Sequence, residues 1–250
     1  EYGYVDDRDI LWSKTVWEII DLDERVNFPL YYPTDTIDIG KDRRSLYHVL
    51  MKNIRNGNLT EVYTDSYFTE KRKLEDLSAT LSKVDTTDLG YEQVNAGEQV
   101  SPEFINKRDL TAADIEEYRI KGIWYFDKRQ GELKYRLLGI APVAPDVNFI
   151  DDESIDPGQN KVELFWVWFP AARKILHDAK VYNQRNSARP ISFDALLNSR
   201  RFNGIIYKEE NVHEDREISD YIFDNALFQL LEAQRIKEGI RDREQDMWAY

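Results

Sequence analysis

The sequence predicts an α+β fold, and three observations lead to that class. A hairpin occupies the middle of the chain, with strands over 118–127 and 132–141 joined by a turn at Gly131. Apolar and charged side chains alternate along both strands, which is the period of a strand with one buried face. Helical patterns flank the hairpin without a βαβ rhythm, and the last of them is long. We therefore expect one domain over 1–250, in which helices pack against a small antiparallel sheet.

The first part of the chain predicts two helices and a short strand. Asp9 is suited to cap a helix over 10–20, whose apolar residues form a broad face. A second helix is predicted over 43–55, because its apolar residues recur at helical spacing and Gly57 follows as a C-terminal cap. Residues 61–63 are expected to form a strand.

A polar segment over about 76–108 separates these elements from the hairpin. It contains Gly90, Gly97 and Pro102 and few large apolar residues. Such a segment buries too little apolar surface to offset the entropy of ordering, so it often orders only against a neighbour. We expect a loop or arm here, followed by a single capped helical turn at 111–114.

After the hairpin, the pattern predicts a buried strand, two short helices and another strand. Residues 161–169 are apolar on both faces, which is typical of a central strand that is covered on both sides. A proline is well placed to start a helix over 171–178, and Ser192 is suited to cap the short helix that follows. A strand over 204–207 completes the set.

The longest helix is predicted over about 217–246. One side of its first half is apolar, with these residues at helical spacing: Ile218, Ile222, Phe223, Ala226, Leu227, Leu230 and Leu231. Beyond Glu232 the stripe narrows to Ile236, Ile240 and Met247 within charged surroundings. We expect this distal half to project past the core or to dock on another chain.

Composition argues against several classes of partner and site. The chain of 250 residues carries 34 Lys and Arg against 47 Asp and Glu, a formal net charge of −13. That charge argues against a nucleic acid or an anionic lipid surface as the main partner. Zero cysteines exclude disulfides and thiolate metal sites. No apolar run reaches the roughly 18 residues that a membrane-spanning helix needs.

Motifs for metal binding and catalysis are weak. His48, His177 and His213 are far apart and belong to no ligand pattern, so we expect no zinc site. The acidic loop 151–158 has oxygen ligands that suit Ca²⁺, but its spacing fits no EF-hand and a solvated linker is the plainer interpretation. We therefore expect no cofactor, no metal and no catalytic residue.

A hydrolase or carbohydrate-binding protein is the alternative. Glu163 beside Trp166 and Trp168 imitates a sugar-stacking platform with a carboxylate, although tryptophans on a two-sided apolar strand more often lie in a core. The neighbouring Arg200 and Arg201 favour contact with a carboxylate, within the protein or on a partner. Aromatic residues and arginines are also enriched in interface hot spots, which favours the interaction protein over the enzyme.

Several blocks of the sequence carry a resemblance to a known family. They are RIKGIWYFDKRQGELKYRLLGIAP at 119–142, DDRDILWSK at 6–14, IRNGNLTEVYTDSYFT at 54–69 and NSRRFNGIIYKEENV at 198–212, with a distal DMW at 246–248. In these blocks the chain resembles the GldN/PorN family of Bacteroidota. The resemblance covers most of the chain.

The resemblance implies a non-enzymatic scaffold protein of the periplasm. It implies a ring built with a GldK/PorK-like lipoprotein beneath the outer membrane, and contact with a GldM/PorM-like shaft protein, within the type IX secretion and gliding machinery. The chain would associate with the outer membrane only through the lipoprotein. The residues that we expect at partner interfaces are Ile236, Ile240, Met247, Trp248, Arg200 and Arg201.

Overall fold

The computed structural model describes residues 2–35, 37, 43–86, 93, 95, 102–149, 160–182 and 189–248. Helices and antiparallel sheets are combined in them and the C-terminal helix is long, so the α+β prediction is confirmed. The strands are β1 Ile10–Asp21, β2 Val62–Tyr63, β3 Ser82–Thr86, β4 Ile105–Asp109, β5 Glu117–Asp127, β6 Glu132–Pro145, β7 Lys161–Glu163, β8 Trp166–Trp168, β9 Lys180–Val181, β10 Ile191–Ser192 and β11 Ile205–Glu209.

Among the described residues, the helices with defined bounds are three before the hairpin and four after it. They are α1 Phe28–Tyr31, α2 Leu46–Arg55, α3 Leu74–Leu81, α4 Phe169–Asp178, α5 Phe193–Asn198, α6 Ile218–Tyr221 and α7 Ala226–Trp248. Ser45 caps α2 by accepting a hydrogen bond from the His48 backbone N–H at 3.3 Å. Gly57 follows α2 with a φ of 71°, so the predicted second helix and its cap are confirmed.

The main sheet is antiparallel and has the predicted hairpin at its centre. Its strand order is β11-β1-β5-β6-β8-β2, and β7 also pairs with β6. The turn between β5 and β6 places Gly131 at a φ of 63°, and the Gly131 N–H donates to the Asp127 carbonyl at 2.7 Å. The hairpin prediction is thus confirmed, with β6 running four residues further than expected, to Pro145.

The predicted helix over 10–20 is wrong, because this segment is strand β1 between β5 and β11. Val16, Trp17 and Ile20 are all buried, although neighbouring residues of a strand point to opposite faces. Both faces of β1 are therefore covered, which removes the alternation that would have marked a strand. Apolar residues on both faces then imitate the broad face of a helix.

One face of the sheet carries the larger core, beneath α2, α4 and α5. Ile20, Tyr118 and Ile120 come from the sheet, and Leu50 and Phe193 come from the helices that cover it. All five side chains are almost completely buried. This packing fixes the position of the loop that leaves α5 and carries the predicted arginine pair.

The opposite face is covered by the segment 64–72, which follows β2. Phe68, with a φ of 60°, packs edge to face against Trp168 at 4.8 Å between ring centroids. A Cβ on Gly139 would lie 2.5 Å from the Phe68 ring, so only glycine leaves room for that ring. The Lys121 ammonium lies 4.7 Å from the ring centroid of Trp17 on the same face. These contacts bury the side of β1 that the helices leave free.

The prediction of one continuous strand over 161–169 is wrong, because the segment forms two strands. The structure has two short strands, β7 and β8, separated by Leu164 and Phe165, and the Leu164 N–H donates to the Pro142 carbonyl at 3.0 Å. The prediction of burial is confirmed, because Leu164, Phe165 and Trp166 are fully buried. Helix α4 follows directly, and a proline lies in its first turn as expected.

The polar segment over 76–108 contains regular structure where it is described. Its first residues belong to α3, and β3 pairs with β4 as a separate antiparallel ribbon. Leu77 and Leu81 anchor α3 in the larger core, whereas all five residues of β4 are exposed. The expected loop is therefore wrong for these residues, while most of 87–101 lies outside the described part. The capped turn at 111–114 is confirmed.

The prediction of a single helix over 217–246 is wrong, because the segment forms two helices. The short helix α6 ends at Tyr221, Asp224 adopts a φ of 52°, and α7 begins at Ala226. The Asn225 side chain accepts a hydrogen bond from the Phe228 N–H at 3.0 Å and so caps α7. The break lets α7 change direction and lie back across β11.

Candidate partner-contact surface

Helix α7 uses its distal half to pack on the sheet. Ala233, Ile236 and Ile240 are buried against Val16 of β1 and Ile206 of β11 in a second apolar cluster. This differs from the expected projection past the core, because the narrow stripe of α7 meets apolar residues of its own chain. Ile236 and Ile240 are only 5% and 6% exposed, so a partner could reach them only if α7 moved. Their contact with a partner stays a prediction.

The first turns of α7, and the residues before them, instead expose large apolar side chains. We call this surface the α6–α7 corner, and it consists of Phe223, Leu227, Phe228, Leu230 and Leu231. Their exposed fractions are 74%, 65%, 57%, 49% and 54%, respectively. Single exposed apolar residues are ordinary on a protein surface, but a contiguous group is typical of an interaction site.

The corner and the buried stripe lie on opposite sides of α7. Leu227 and Ile236 are nine positions apart, which corresponds to about 180° around a helix with 3.6 residues per turn. Leu231 and Ile240 have the same separation. The sheet therefore buries the inner side of α7, and the corner faces away from the sheet. Among the described residues, no member of the corner belongs to the second apolar cluster or packs against it.

Hydrogen bonds hold the corner in one arrangement. The Gln229 side chain donates to the Ile222 carbonyl at 2.8 Å, across the break between the two helices. The Tyr221 hydroxyl donates to the Glu232 carboxylate at 3.3 Å, and this carboxylate also accepts from Arg235. A surface fixed in this way loses less conformational entropy when a partner binds.

Arg200 forms its contacts within the chain, against strand residues of the sheet, whereas Arg201 is exposed. The Arg200 guanidinium donates from Nη2 to Glu18 Oε2 at 2.6 Å and lies 4.3 Å from the ring centroid of Tyr135. The predicted carboxylate contact is thus made within the chain. Arg201 points to solvent, where a partner can reach it.

The remaining expected interface residues lie at the end of α7. Met247 is half-buried, and Trp248 is the last residue of the helix. The Trp248 side chain falls outside the part of the molecule that the structure describes. Neither residue adjoins the corner, because Leu231, the last residue of the corner, precedes Met247 by about sixteen residues of helix at roughly 1.5 Å rise each. Their contact with a partner stays a prediction.

The residues of the alternative carbohydrate site lie in a packed layer. Trp166 is fully buried, and its indole N–H donates to Glu163 Oε2 at 2.6 Å. The other oxygen of Glu163 accepts from the Arg119 guanidinium at 2.8 Å. Trp168 packs against the Phe68 ring. Glu163 thus acts as a hydrogen-bonding partner of core residues, which is the arrangement expected for a structural carboxylate.

The described residues provide no metal centre and no membrane-spanning helix. Within them, no three His, Cys, Asp or Glu side chains are grouped as metal ligands would be. His48 lies in α2, His177 lies in α4, and His213 lies between β11 and α6. The acidic loop 151–158 lies outside the described residues. No described helix combines the length and the apolar character that crossing a membrane requires.

Sequence reasoning missed the α6–α7 corner although its residues were noticed. The sequence pattern places Leu227, Leu230 and Leu231 on the one apolar side of the predicted helix and does not indicate that this side is exposed. The available signal was that the first turns of α7 are apolar on more than one side, since Ala233 and Ile236 continue a different stripe. A helix with two apolar sides has one more apolar side than a single sheet can cover.

Comparison with known proteins identifies the family. The family model described as gliding motility associated protein GldN matches residues 5–249, which is nearly the whole chain. No curated protein matches the chain. The matched region includes the hairpin, the segment that covers the second face of the sheet, and all of the α6–α7 corner. The chain therefore belongs to the GldN family of gliding motility associated proteins.

Proposed function

We propose that this chain is a structural subunit of a ring in the type IX secretion and gliding machinery. In this role it assembles in the periplasm with a GldK/PorK-like lipoprotein and contacts a GldM/PorM-like shaft protein. Membership of the GldN family supports the link to gliding motility. The partners, the ring and the periplasmic location go beyond the family assignment and are proposed here.

The α6–α7 corner is the observation that carries the proposal. Four large apolar side chains are exposed in the first turns of α7, with Phe223 just before them, and the opposite side of that helix is already buried. Burying such side chains at an interface stabilises a complex by about 25 cal/mol for each Å² of apolar surface removed from water. A subunit that works in an assembly requires a surface of this kind, whereas an isolated enzyme does not.

The lipoprotein is the partner that we assign to the corner. A peripheral ring subunit needs a membrane-anchored protein to hold it at the outer membrane, and no described helix of this chain spans a membrane. Contact through the corner leaves the exposed Arg201 available for neighbouring subunits or the shaft. Ring closure requires that each subunit presents two different surfaces to its neighbours.

We propose no catalytic role. The carboxylate of the alternative site, Glu163, accepts hydrogen bonds at both oxygens from groups of the core. A general base or nucleophile needs a lone pair directed at a substrate. The hydrolase alternative predicts turnover of a glycan panel by the purified chain, which the scaffold proposal does not.

Mass photometry tests the proposal directly. The chain is measured alone and after co-expression with a GldK/PorK-like lipoprotein from the same genome. We expect a small species for the chain alone and large, closed particles of uniform mass for the co-expressed pair. A small species under both conditions would contradict the ring role, and large particles of the chain alone would contradict the need for the lipoprotein.

A further inference from the structure

A groove between α2 and the end of α4 has a charge opposite to that of the chain. We call it the α2–α4 groove, and it encloses about 680 Å³. Its lining residues are Arg44, His48, Val49, Lys52, Asn53, Asn56, Asn58, Lys174, Ile175, Asp178, Ala179 and Lys180. A volume of this size falls within the range of small-molecule sites.

The groove concentrates bases in a strongly acidic protein. Arg44, Lys52, Lys174 and Lys180 are permanently positive at neutral pH, and Asp178 is the one carboxylate that lines the groove. The whole chain, in contrast, has 47 acidic against 34 basic residues. Like charges that line one groove repel one another, so the arrangement favours a bound anion.

The bases of the groove also differ from other bases of the chain in their partners. Elsewhere the described lysines and arginines often form ion pairs with carboxylates, as Lys14, Arg119, Lys161, Arg173 and Arg200 do. Within the described residues, the four bases of the groove form no such pair. Arg44 donates to the Arg43 carbonyl, and Lys180 donates to the His177 carbonyl. Asp178 is the one described carboxylate that lines the groove with them, and it forms no ion pair with any of the four.

We propose that the α2–α4 groove binds a phosphate-bearing anion. A phosphate group offers several oxygen acceptors and more than one negative charge, which matches a site with four cationic side chains. The side-chain amide of Asn56 adds an uncharged donor at the same wall, whereas those of Asn53 and Asn58 already donate to the Val49 carbonyl and to Asn53 Oδ1. A concave site selects a compact anion over the flat surface of an acidic protein.

The environment of His48 agrees with this assignment. Desolvation lowers the pKa of His48, and the positive charges of Arg44, Lys52 and Arg55 lower it further. A bound phosphate would offset those charges and favour the protonated imidazole, which then becomes an additional donor. The same phosphate chemistry occurs in soluble phosphorylated compounds and in phospholipid headgroups, so the test distinguishes these two sources.

Binding is measured with two probes on the intact chain. Isothermal titration calorimetry with inorganic pyrophosphate reports a soluble ligand. Co-sedimentation with phosphatidylglycerol vesicles, compared with phosphatidylcholine vesicles, reports a headgroup. The groove variant combines Lys52→Gln and Lys174→Gln. The control variant combines Lys128→Gln and Lys237→Gln, which removes the same charge from exposed positions outside the groove.

We expect saturable binding of at least one probe by the unmodified chain and by the control variant. The groove variant should bind at least about tenfold more weakly, because two charge-assisted contacts are lost. Arginine at both positions should restore binding, since it keeps the charge. The proposal is overturned if neither probe binds the unmodified chain, or if the groove and control variants lose affinity equally.

Discussion

Arg200 donates a hydrogen bond from Nη2 to Glu18 Oε2 at 2.6 Å, across 182 positions of sequence. The contact joins the loop after α5 to the strand that the sequence had predicted as a helix. Arg200 adopts a φ of 50°, and its guanidinium lies 5.3 Å from the ring centroid of Trp124. The pair ties the two apolar clusters together at the point where they meet on one face of the sheet.

Replacing Arg200 should therefore destabilise the fold. In Arg200→Met the Glu18 carboxylate stays buried without its cation, and we expect the free energy of unfolding to fall by about 3 kcal/mol. Urea denaturation measures the change. The double variant Glu18→Gln with Arg200→Met should recover part of the loss, because no charge is then left buried. Unchanged stability of the single variant would show that the contact contributes nothing.

The buried stripe of α7 can be separated from the exposed corner by truncation. Ile236→Ala removes a side chain that packs on Val16 and Ile206, and should cost about 2 to 4 kcal/mol of unfolding free energy. Leu227→Ala, on the opposite side of the same helix, should cost less than about 1 kcal/mol. Thermal or urea unfolding measures both. Equal losses for the two variants would contradict the orientation of α7.

That orientation also changes how a C-terminal truncation is interpreted. Deleting residues 232–250 removes Ala233, Ile236 and Ile240 from the second cluster, so it lowers stability whether or not a partner binds there. Point substitutions at the corner avoid this effect, because those side chains are exposed.

Gly122 should tolerate no side chain. The Tyr135 ring lies directly over it, and a Cβ at this position would overlap the ring. We expect Gly122→Ala to destabilise the chain by about 1 to 3 kcal/mol, since a well-packed core resists an added methyl group. Gly239→Ala is the matched control: nothing lies within 4 Å of its Cβ, and alanine should stabilise α7 by up to about 1 kcal/mol. A neutral Gly122→Ala variant would contradict the packing of the hairpin.

Elements with one buried face could be predicted from the sequence, and elements buried on two faces could not. The hairpin shows alternation because Lys121, Lys134 and Arg136 remain partly exposed. Strand β1 shows none, because Val16 and Trp17 are buried on opposite faces. Its Thr, Val, Ile and Trp content was the better signal, since β-branched and aromatic residues favour strands over helices.

The sequence predicts partner contact through the C-terminal helix, and that contact stays a prediction. The sequence does not tell which side of the helix is exposed, because Leu227 and Ile236 are equally apolar in a sequence pattern. Only the position of β11 decides which of them is buried. Asn225 caps α7 and so starts a new helix inside the predicted long one. A single asparagine is a weak signal for such a break when the apolar residues on both sides of it keep helical spacing.

His48 should give the stability a weak dependence on pH. Desolvation and then the nearby positive charges lower its pKa from the ordinary value of 6.5, so the folded chain binds this proton less readily than the unfolded chain. Stability should therefore fall as the pH drops through about 6.5 towards the folded value. The charged groups around it are Lys52 and Arg55 on its own helix, Arg44 just before that helix, and Lys174, Asp178 and Lys180 across the groove.

The measurement compares His48→Gln with the unmodified chain between pH 8 and pH 5. Glutamine does not titrate, so the difference in unfolding free energy between the two proteins should shift in favour of the variant as the pH falls. A difference that stays constant over this interval would show that His48 is not desolvated in the folded chain.

Charging the α6–α7 corner should abolish assembly without unfolding the chain. Leu227→Glu with Leu231→Glu places two carboxylates on the surface that we assign to the lipoprotein, and desolvating them would oppose binding. Thr60→Glu with Gln245→Glu adds the same charge at exposed polar positions away from the corner. Both variants should unfold at temperatures close to that of the unmodified chain.

The most direct test of the scaffold role is the particle mass of each variant after co-expression with the lipoprotein. We expect the unmodified chain and the control variant to form the same large, closed particles in mass photometry, and the corner variant to remain a small species. Large particles from the corner variant, with the mass and abundance of the unmodified assembly, would contradict the assignment of this surface to the partner.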